Sequence, residues 1–400
     1  MVIGIIGGGA SGMAAALAAS ENRNAQVLLF ERQARLGRKL QATGNGRCNL
    51  TNLHADDGGY HGNVPEFSAS ALKMYDVASN LAWFRSMGLY TVAEPSGRVY
   101  PYSDQANSVV DVLRFALDRP NIRLETGSEI TKLRRRDGGF YVEDQFCDRV
   151  IIACGGLAGT KLGGSMSGYQ LLRSMGHHMT RLRPALVQLK CAWAGVASLK
   201  GVRANCRASI LHDGNLHSVS TGEIQFTEYG LSGPVVFEIS RDACQGGGVW
   251  ICRLDLLPDI SEQILLEELE RRRGTSLPVE ELLTGILHNR LGRVLTKAAG
   301  VSGNRPIGAL SRVELESVCR AVKSFEIPLT EPLGMDSAQV TAGGIVTDEF
   351  NPETMESKLV PGLYACGEVL DIDGDCGGYN LQWAWSSGRC AGFHAGKDAT

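Results

Sequence analysis

The chain has 400 residues, 44% of them hydrophobic and 21% charged, with a formal net charge of −3. That length predicts two or three compact units of ordinary globular composition, and the charge excludes a general affinity for polyanions. Eleven cysteines, odd in number and without a C-x-x-C pair, argue for reduced thiols in a cytoplasmic protein rather than for disulfides or a zinc site.

The opening segment, MVIGIIGGGASGMAAALAAS, imitates a secretory leader, but it lacks a positive n-region and glycines break its apolar core. No uncharged apolar run elsewhere approaches the ~18 residues of a membrane span. Val2 to Ile6 instead suits a parallel strand buried on both faces. GGGASG then places Gly7, Gly9 and Gly12 in the spacing G-x-G-x-x-G, with Ala10 and Ser11 inside the turn. An alanine-rich helix follows, and a second apolar run, AQVLLF, ends at Glu31 and Arg32. The first glycine makes the tight turn, the second admits a pyrophosphate to the backbone, and the third lets helix and strand approach. The carboxylate then takes ribose hydroxyls. Strand, turn, helix, strand and acid in that order predict a dinucleotide site.

The next stretch, RLGRKLQATGNGRCNLTN, is basic at Arg35, Arg38 and Lys39 and loops through Gly44, Asn45 and Gly46 to Arg47. A nicotinamide domain would continue into another helix and strand. A long glycine-rich excursion better suits flavin adenine dinucleotide (FAD), with Arg38, Lys39, Gly44 and Arg47 as candidate contacts; the bland reading of the cations is a solvated loop. SDQANSVVDVLRFAL predicts a packing helix starting at Ser103 or Asp104, with Val109, Val112, Leu113, Ala116 and Leu117 on one face. SEITKLRRRDGGFYV and DRVIIACGG read as strand pairs that bring Ile130 to the adenine and Gly155 and Gly156 to the pyrophosphate. His177 and His178 follow a helix end at Gly176 and read as structural.

From Pro184 to Leu257 the pattern changes to short β-type runs separated by turns, as in an antiparallel barrel or sandwich. Gly233 and Pro234 interrupt it with a helix entry that buries Val236, Phe237 and Ile239. Pro258 to Gly303 reads as helical, including PVEELLTGILHNRLGRVLTKAAG, and Ser311 to Val322 as another helix. Between Glu281 and Glu314 stand Arg290, Arg293, Lys297, Arg305 and Arg312 with no acid among them. This is either a solvated helix face or a surface for a structured RNA backbone. Without interleaved aromatics it does not suit single-strand stacking.

The tail, GEVLDIDGDCGGYNLQWAWSSG, follows a strand GLYAC, and Gly367 and Glu368 sit at the strand's carboxyl end, where open α/β sheets bind ligands. Gly377 and Gly378 permit close backbone approach, and a helix begins near Asn380 with a small face at Ala384, Gly388, Ala391 and Ala395. Free N–H groups at Leu381 and Gln382 then point at the flavin pyrimidine, where reduction gathers negative charge. Trp383 and Trp385 wall the pocket or fill the core. Cys376, beside these glycines, is a candidate proton donor or ring contact, against the bland reading of an inert packed thiol. Tyr379 and Asn45 are the alternatives, and Cys48 reads as structural. No metal-ligand spacing is present. Nor is there a second strand–glycine–helix–acid unit, so NAD(P)H would dock transiently against the ring, or electrons would pass from substrate to oxygen.

GGGASG, GRKLQATGNGRCNLTN, GGLAGTKLGGSMSGYQL, FTEYGLSGPVVFEIS, AQVTAGGI and the tail occur in that order. Together they resemble the BaiN/RdsA family of NAD(P)/FAD-dependent oxidoreductases, which includes the aminoacetone-oxidase-like flavoproteins. The resemblance covers nearly the whole chain. It implies an α/β protein in which a Rossmann-type FAD-binding domain, residues 1–184 and 335–400, is built from both chain ends. A β-barrel-like substrate domain, residues 185–257 and 304–334, and a small helical subdomain, residues 258–303, are inserted. It also implies three chemistries: reduction of a steroid or bile-acid enone, reduction of uridine in ribosomal RNA, and oxidation of aminoacetone to yield peroxide. The expected partner is accordingly a small molecule or structured RNA, with neither membrane nor metal, and the oligomeric state is open. A redox-silent flavin-bearing interaction protein is the non-enzymatic alternative.

Overall fold

The computed structural model of the chain describes residues 1–398 apart from positions 137, 244 and 302. Two compact units emerge, one from residues 1–184 together with those from 338 onward, the other from residues 185–337.

The first unit is organised by a five-stranded sheet, in the order Leu363–Ala365, Arg149–Ile152, Val2–Ile6, Gln26–Glu31 and Ile122–Thr126. Every neighbouring pair is parallel. Both chain ends therefore enter one sheet, because Val150 in the middle of the sequence pairs with Gly4 on one side and Leu363 on the other. The central strand, apolar at Ile3, Ile5 and Ile6, is covered on both faces, as its composition predicts.

The helix Ala10–Ala19 follows the first strand, and the helix Tyr379–Gly396 lies against it. Their contact is backbone to backbone. A Cβ on Gly388, Gly392 or Gly396 would fall 2.3, 2.2 or 3.0 Å from the carbonyl oxygen of Ser11, Ala15 or Ala19. Matching order along both chains makes the helices parallel. The expected small face at Ala384, Gly388, Ala391 and Ala395 is buried, and the close crossing also takes in Gly392 and Gly396. Both tryptophans fill the core and donate their indole N–H groups inward, Trp383 to the Gly367 carbonyl at 3.1 Å and Trp385 to that of Leu50 at 3.0 Å.

The helix expected from Ser103 or Asp104 begins later, at Ala106, since Asp104 adopts a left-handed φ of 56° and Gln105 is extended. Beyond the helix Ser167–Ser174, His177 is buried. It stacks on Phe350 at 4.5 Å, with Nδ1 2.8 Å from Glu349 and Nε2 3.0 Å from the Ser357 hydroxyl. Glu349 also takes the His178 ring at 2.6 Å.

The second unit is a closed six-stranded barrel in the order Leu189–Cys191, Gly230–Ser232, Asn215–Phe226, Arg203–His212, Trp250–Asp255 and Phe325–Pro332. The helix Pro234–Ser240 buries Val235, Val236 and Ile239, leaving Phe237 half-buried against expectation. Helices Glu262–Arg272, Asn289–Ala298 and Arg312–Lys323 share one core with the barrel through Leu265, Leu291 and Val318. The helix expected through residues 278–299 covers only its second half, because Gly285 turns the chain at φ +81° and His288 caps a new start. A capping box of Ser311 and Glu314 opens the last helix.

Two stability predictions follow from these contacts. Gly392→Val inserts side chain into the helix crossing and should cost about 1–3 kcal/mol in a denaturation experiment, whereas Gly247→Ala, facing open space, should be neutral. Equal stability of the Gly392 variant and the parent would contradict the close crossing. Burial holds the His177 imidazole below its ordinary range. Burial also opposes the Glu349 charge, but hydrogen bonds from His178 and His177 outweigh it and hold that carboxyl low. Both groups bind fewer protons folded than unfolded, so their contribution is complete above pH ~6.5 and is lost as pH falls. Melting temperatures recorded from about pH 7 down to 5 should fall less steeply in His177→Asn than in the parent; parallel profiles would refute the assignment.

Candidate cofactor and active site

The turn after the first strand is tight because Gly12 approaches the carbonyl of Gly7 so closely that a Cβ would lie 1.8 Å from its oxygen. Gly9 is different. Its φ of −83° is open to any residue, and a Cβ there would meet nothing within 4 Å. Gly155, on the loop after the Arg149–Ile152 strand, likewise faces open space. Internal packing does not require glycine at Gly9, and the bare backbone there leaves room for a ligand to lie against it. The first-turn N–H groups of Ala10, Ser11 and Gly12 lack carbonyl partners one turn earlier in the helix and give this cradle its positive end.

Glu31 ends the second strand, its carboxylate accepting from Gly8 N–H at 2.8 Å and Gln33 N–H at 2.7 Å. Ser128 N–H donates to the Glu31 carbonyl, which brings Ile130 to the same strand end, in a cleft shared with Phe30, Val142 and Gln145. Arg32 reaches the Gly163 carbonyl at 2.9 Å and Arg38 the Gln33 side chain at 2.9 Å. Lys39 pairs with Glu368 at 2.7 Å, and Thr341 N–H donates to the other oxygen of Glu368 at 2.8 Å. Gly156 packs so close that a Cβ would fall 2.4 Å from that carboxylate. The Gly367 turn before Glu368 is pinned twice, its N–H donating to Ser387 Oγ at 3.0 Å and its carbonyl accepting from Trp383.

Gly378, at φ +112°, opens the C-terminal helix, and a Cβ on it would strike the Thr51 carbonyl at 2.4 Å. Since Gly388 meets Ser11, the start of this helix projects about 12 Å beyond the start of the first helix. Two parallel helix starts, staggered in this way, suit an elongated ligand with a charged middle and a polarisable end. One expectation needs correction: the Gln382 N–H is not free but donates to Gly378 O at 3.0 Å, so the unpaired donors stand one residue earlier. The Gln382 side chain is fully buried, accepting from Thr51 at 2.8 Å and donating to Tyr75 O at 3.2 Å. Asn380 exchanges two hydrogen bonds with Gly374, and Leu381 is half-buried.

A family model for the HI0933-like protein Rossmann domain matches residues 1–394. The chain belongs to the HI0933-like family. Among relatives of this HI0933-like protein, the 3-dehydro-bile acid delta(4,6)-reductase of Clostridium scindens is 41% identical over 409 residues, covering 99% of each chain. The ribosomal RNA dihydrouridine synthase of Escherichia coli is 32% identical over 391 residues, covering 96% of this chain and 95% of that one. Among solved structures, the 3-ketosteroid delta1-dehydrogenase of Sterolibacterium denitrificans is 13% identical with a TM-score of 0.50. It covers 98% of this chain and 99% of that one, and it is a likeness of fold alone. The HI0933-like protein is an FAD-dependent oxidoreductase of the BaiN/RdsA type. Its residues fit FAD at the glycine cradle, the Glu31 strand end and the C-terminal helix start.

Other expected residues lie apart or do other work. Arg47 is held by Glu94 at 3.1 Å and by Asp104, with its guanidinium 3.9 Å over the Tyr100 ring. Gly44 and Asn45 both take left-handed backbone angles, and Asn45 is exposed. Cys48 is buried, and burial pushes its thiol up to about 12. Cys376 and Tyr379 are half-buried on either side of the two glycines. The strand Asp373–Gly374 pairs with Tyr60–His61, which sets His61 Nε2 2.6 Å from Asp375 beside the Tyr379 ring. Sequence reading missed His61 and Asp375, since no local pattern links residues 314 positions apart. Three cations of the basic stretch are paired, Arg293 with Glu281 at 2.6 Å, Arg305 with Glu314, and Arg312 with Glu316 at 3.0 Å, while Arg290 donates to the Lys200 carbonyl at 2.9 Å.

Gly9→Val tests the cradle. The variant should fold and melt like the parent, because nothing lies within 4 Å, yet lose FAD uptake measured by flavin absorbance after reconstitution. Full flavin occupancy in a folded variant would place the pyrophosphate elsewhere.

Proposed function

We propose that this enzyme reduces a carbon–carbon double bond conjugated to a carbonyl, taking electrons from NAD(P)H and acting in the cytoplasm on a planar enone of the steroid or bile-acid type. The observation that carries the reading is the full-length relationship to two enzymes whose names describe one chemistry. Saturating the delta(4,6) system of a 3-dehydro bile acid and making dihydrouridine both add hydrogen across a double bond conjugated to a carbonyl. The higher identity favours the steroid-type substrate. The paired state of Arg293, Arg305 and Arg312 weakens the case for a phosphate-binding face.

Bound flavin supplies the hydride. The chain must supply a proton to the neighbouring carbon and a field that tolerates negative charge on the ring. The C-terminal helix start serves the second need. Tyr379 is our candidate for the first: it is the first residue of that helix, its ring stands edge-on to Tyr60 at 6.0 Å, and the His61–Asp375 pair lies alongside to restore its proton. Cys376 is the alternative donor, whereas Asn45 carries no titratable proton and keeps at most a binding role.

Anaerobic stopped-flow mixing with NADH or NADPH should bleach the flavin, and a 3-oxo-4-ene steroid should restore its colour. Tyr379→Phe should slow the restoring half-reaction about 10²-fold and leave bleaching unchanged. The same loss in Cys376→Ser but not in Tyr379→Phe would transfer the role to the thiol. Bleaching by aminoacetone and by neither nicotinamide would replace the reductase reading with amine oxidation.

A further inference from the structure

Tyr60 and His61 form a two-residue strand paired with Asp373–Gly374, and a glycine stands on either side of it. Gly59, at φ +80°, presses directly on the start of the C-terminal helix. A Cβ on it would lie 2.8 Å from Asp375 Oδ2 and 2.8 Å from Cε1 of Tyr379. Cε1 is the ring carbon next to the one that bears the hydroxyl, so the carboxylate is a close neighbour of the phenol. Asp375 N–H donates to the Gly59 carbonyl at 2.9 Å. Beyond the strand, a Cβ on Gly62 would fall 2.1 Å from the Asp371 carbonyl oxygen. Backbone contacts thus fix His61 against Asp375, and its Nε2 meets Oδ1 at 2.6 Å.

The acidic groups gathered here differ in their access to water. His61 and Asp375 each leave 38% of the side chain exposed. Tyr60 does not share that access. Burial above all, with Asp56, Tyr379 and Asp375 nearby, lifts its hydroxyl far above the ordinary tyrosine range and keeps it protonated. It donates to the Tyr379 carbonyl at 3.4 Å. Asp371 and Asp373, the other carboxylates on the facing segment, are buried, and Asp371 accepts from Asn63 N–H at 3.3 Å. Among the described residues, only His61 forms an ion pair with Asp375. The wet path to the phenol therefore runs through these two side chains.

We infer that His61 and Asp375 replace, from solvent, the proton that Tyr379 spends, and that this pair sets the pH range of repeated turnover. The inference rests on the reading of Tyr379 as proton donor. Each reduction breaks the phenol O–H bond as a C–H bond forms on the substrate. The phenolate then takes a proton from the His61–Asp375 pair, directly or across one water, and the imidazole regains it from bulk water. Neither residue touches the substrate; both act through Tyr379. The first turnover needs no resupply, because the phenol already holds its proton. Every later one does.

Holoenzyme reduced with NAD(P)H and mixed with a 3-oxo-4-ene steroid and an indicator dye separates these steps. In the parent, proton uptake from solvent should accompany the return of flavin colour. In His61→Gln the first return of colour should keep the parent's rate, while uptake lags behind it. The steady-state rate should drop about tenfold on the acid side and stay flat where the parent's falls with rising pH. Added imidazole should restore turnover in His61→Ala. A first turnover slowed as much as the steady state, or no rescue by imidazole, would make the pair structural and overturn the inference. Should the His61 variants not fold, Asp375→Asn decides by the same lag in uptake. If Tyr379→Phe leaves the first turnover untouched, the donor reading fails. If Tyr379→Phe slows it while the His61 and Asp375 variants match the parent throughout, only this inference falls.

Discussion

Two helices from opposite ends of the chain touch backbone to backbone, and most of the flavin unit depends on that contact. Glycine at 388, 392 and 396 removes every side chain from one helix line, so its partner's carbonyls at Ser11, Ala15 and Ala19 approach without intervening atoms. A methyl at any of these positions would push the helices apart, and the displacement would pass to the sheet, because the first helix hangs from Val2–Ile6 by the tight Gly7–Gly12 turn. The same contact fixes the stagger between the helix starts. One positive end faces the glycine cradle and the other stands about 12 Å further on.

Around this pair the structure spends its buried polar groups on position rather than on chemistry. Gln382, Thr51, Ser386 and Tyr75 O form one buried network. Arg389 extends it to Asn80 at 2.9 Å and lies 4.0 Å over the Tyr75 ring. The Gly367 turn is bonded at both its N–H and its carbonyl to the C-terminal helix, so Glu368 moves with that helix. With every network member satisfied, the helix start is held rigidly, which is what electrostatic stabilisation of a developing charge requires.

Much of this was legible in the sequence where the signal is local. The run from Val2 to Glu31 reads as strand, glycine turn, helix, strand and acid because each step depends on near neighbours, and the structure forms it so. The tail helix was legible to within a residue of its start at Tyr379. Errors arose where the third dimension decides. Gln382 looked like a free donor, but Gly378 already contributes a helical carbonyl, which moves the unpaired donors one place back. Arg293, Arg305 and Arg312 looked unopposed because their acids, Glu281, Glu314 and Glu316, lie at or beyond the edges of the stretch. The His61–Asp375 pair carries no sequence signature, since it is defined by what lies across a fold rather than along a chain.

The central claim is that one rigid pair of staggered helix starts grips both halves of an extended dinucleotide. Calorimetric titration of the flavin-free chain with FAD, flavin mononucleotide and ADP tests it most directly. The account predicts one FAD per chain, bound far more tightly than either fragment, because each fragment reaches only one helix start. Binding of flavin mononucleotide as tight as that of FAD, or no binding of FAD by well-folded protein, would contradict it.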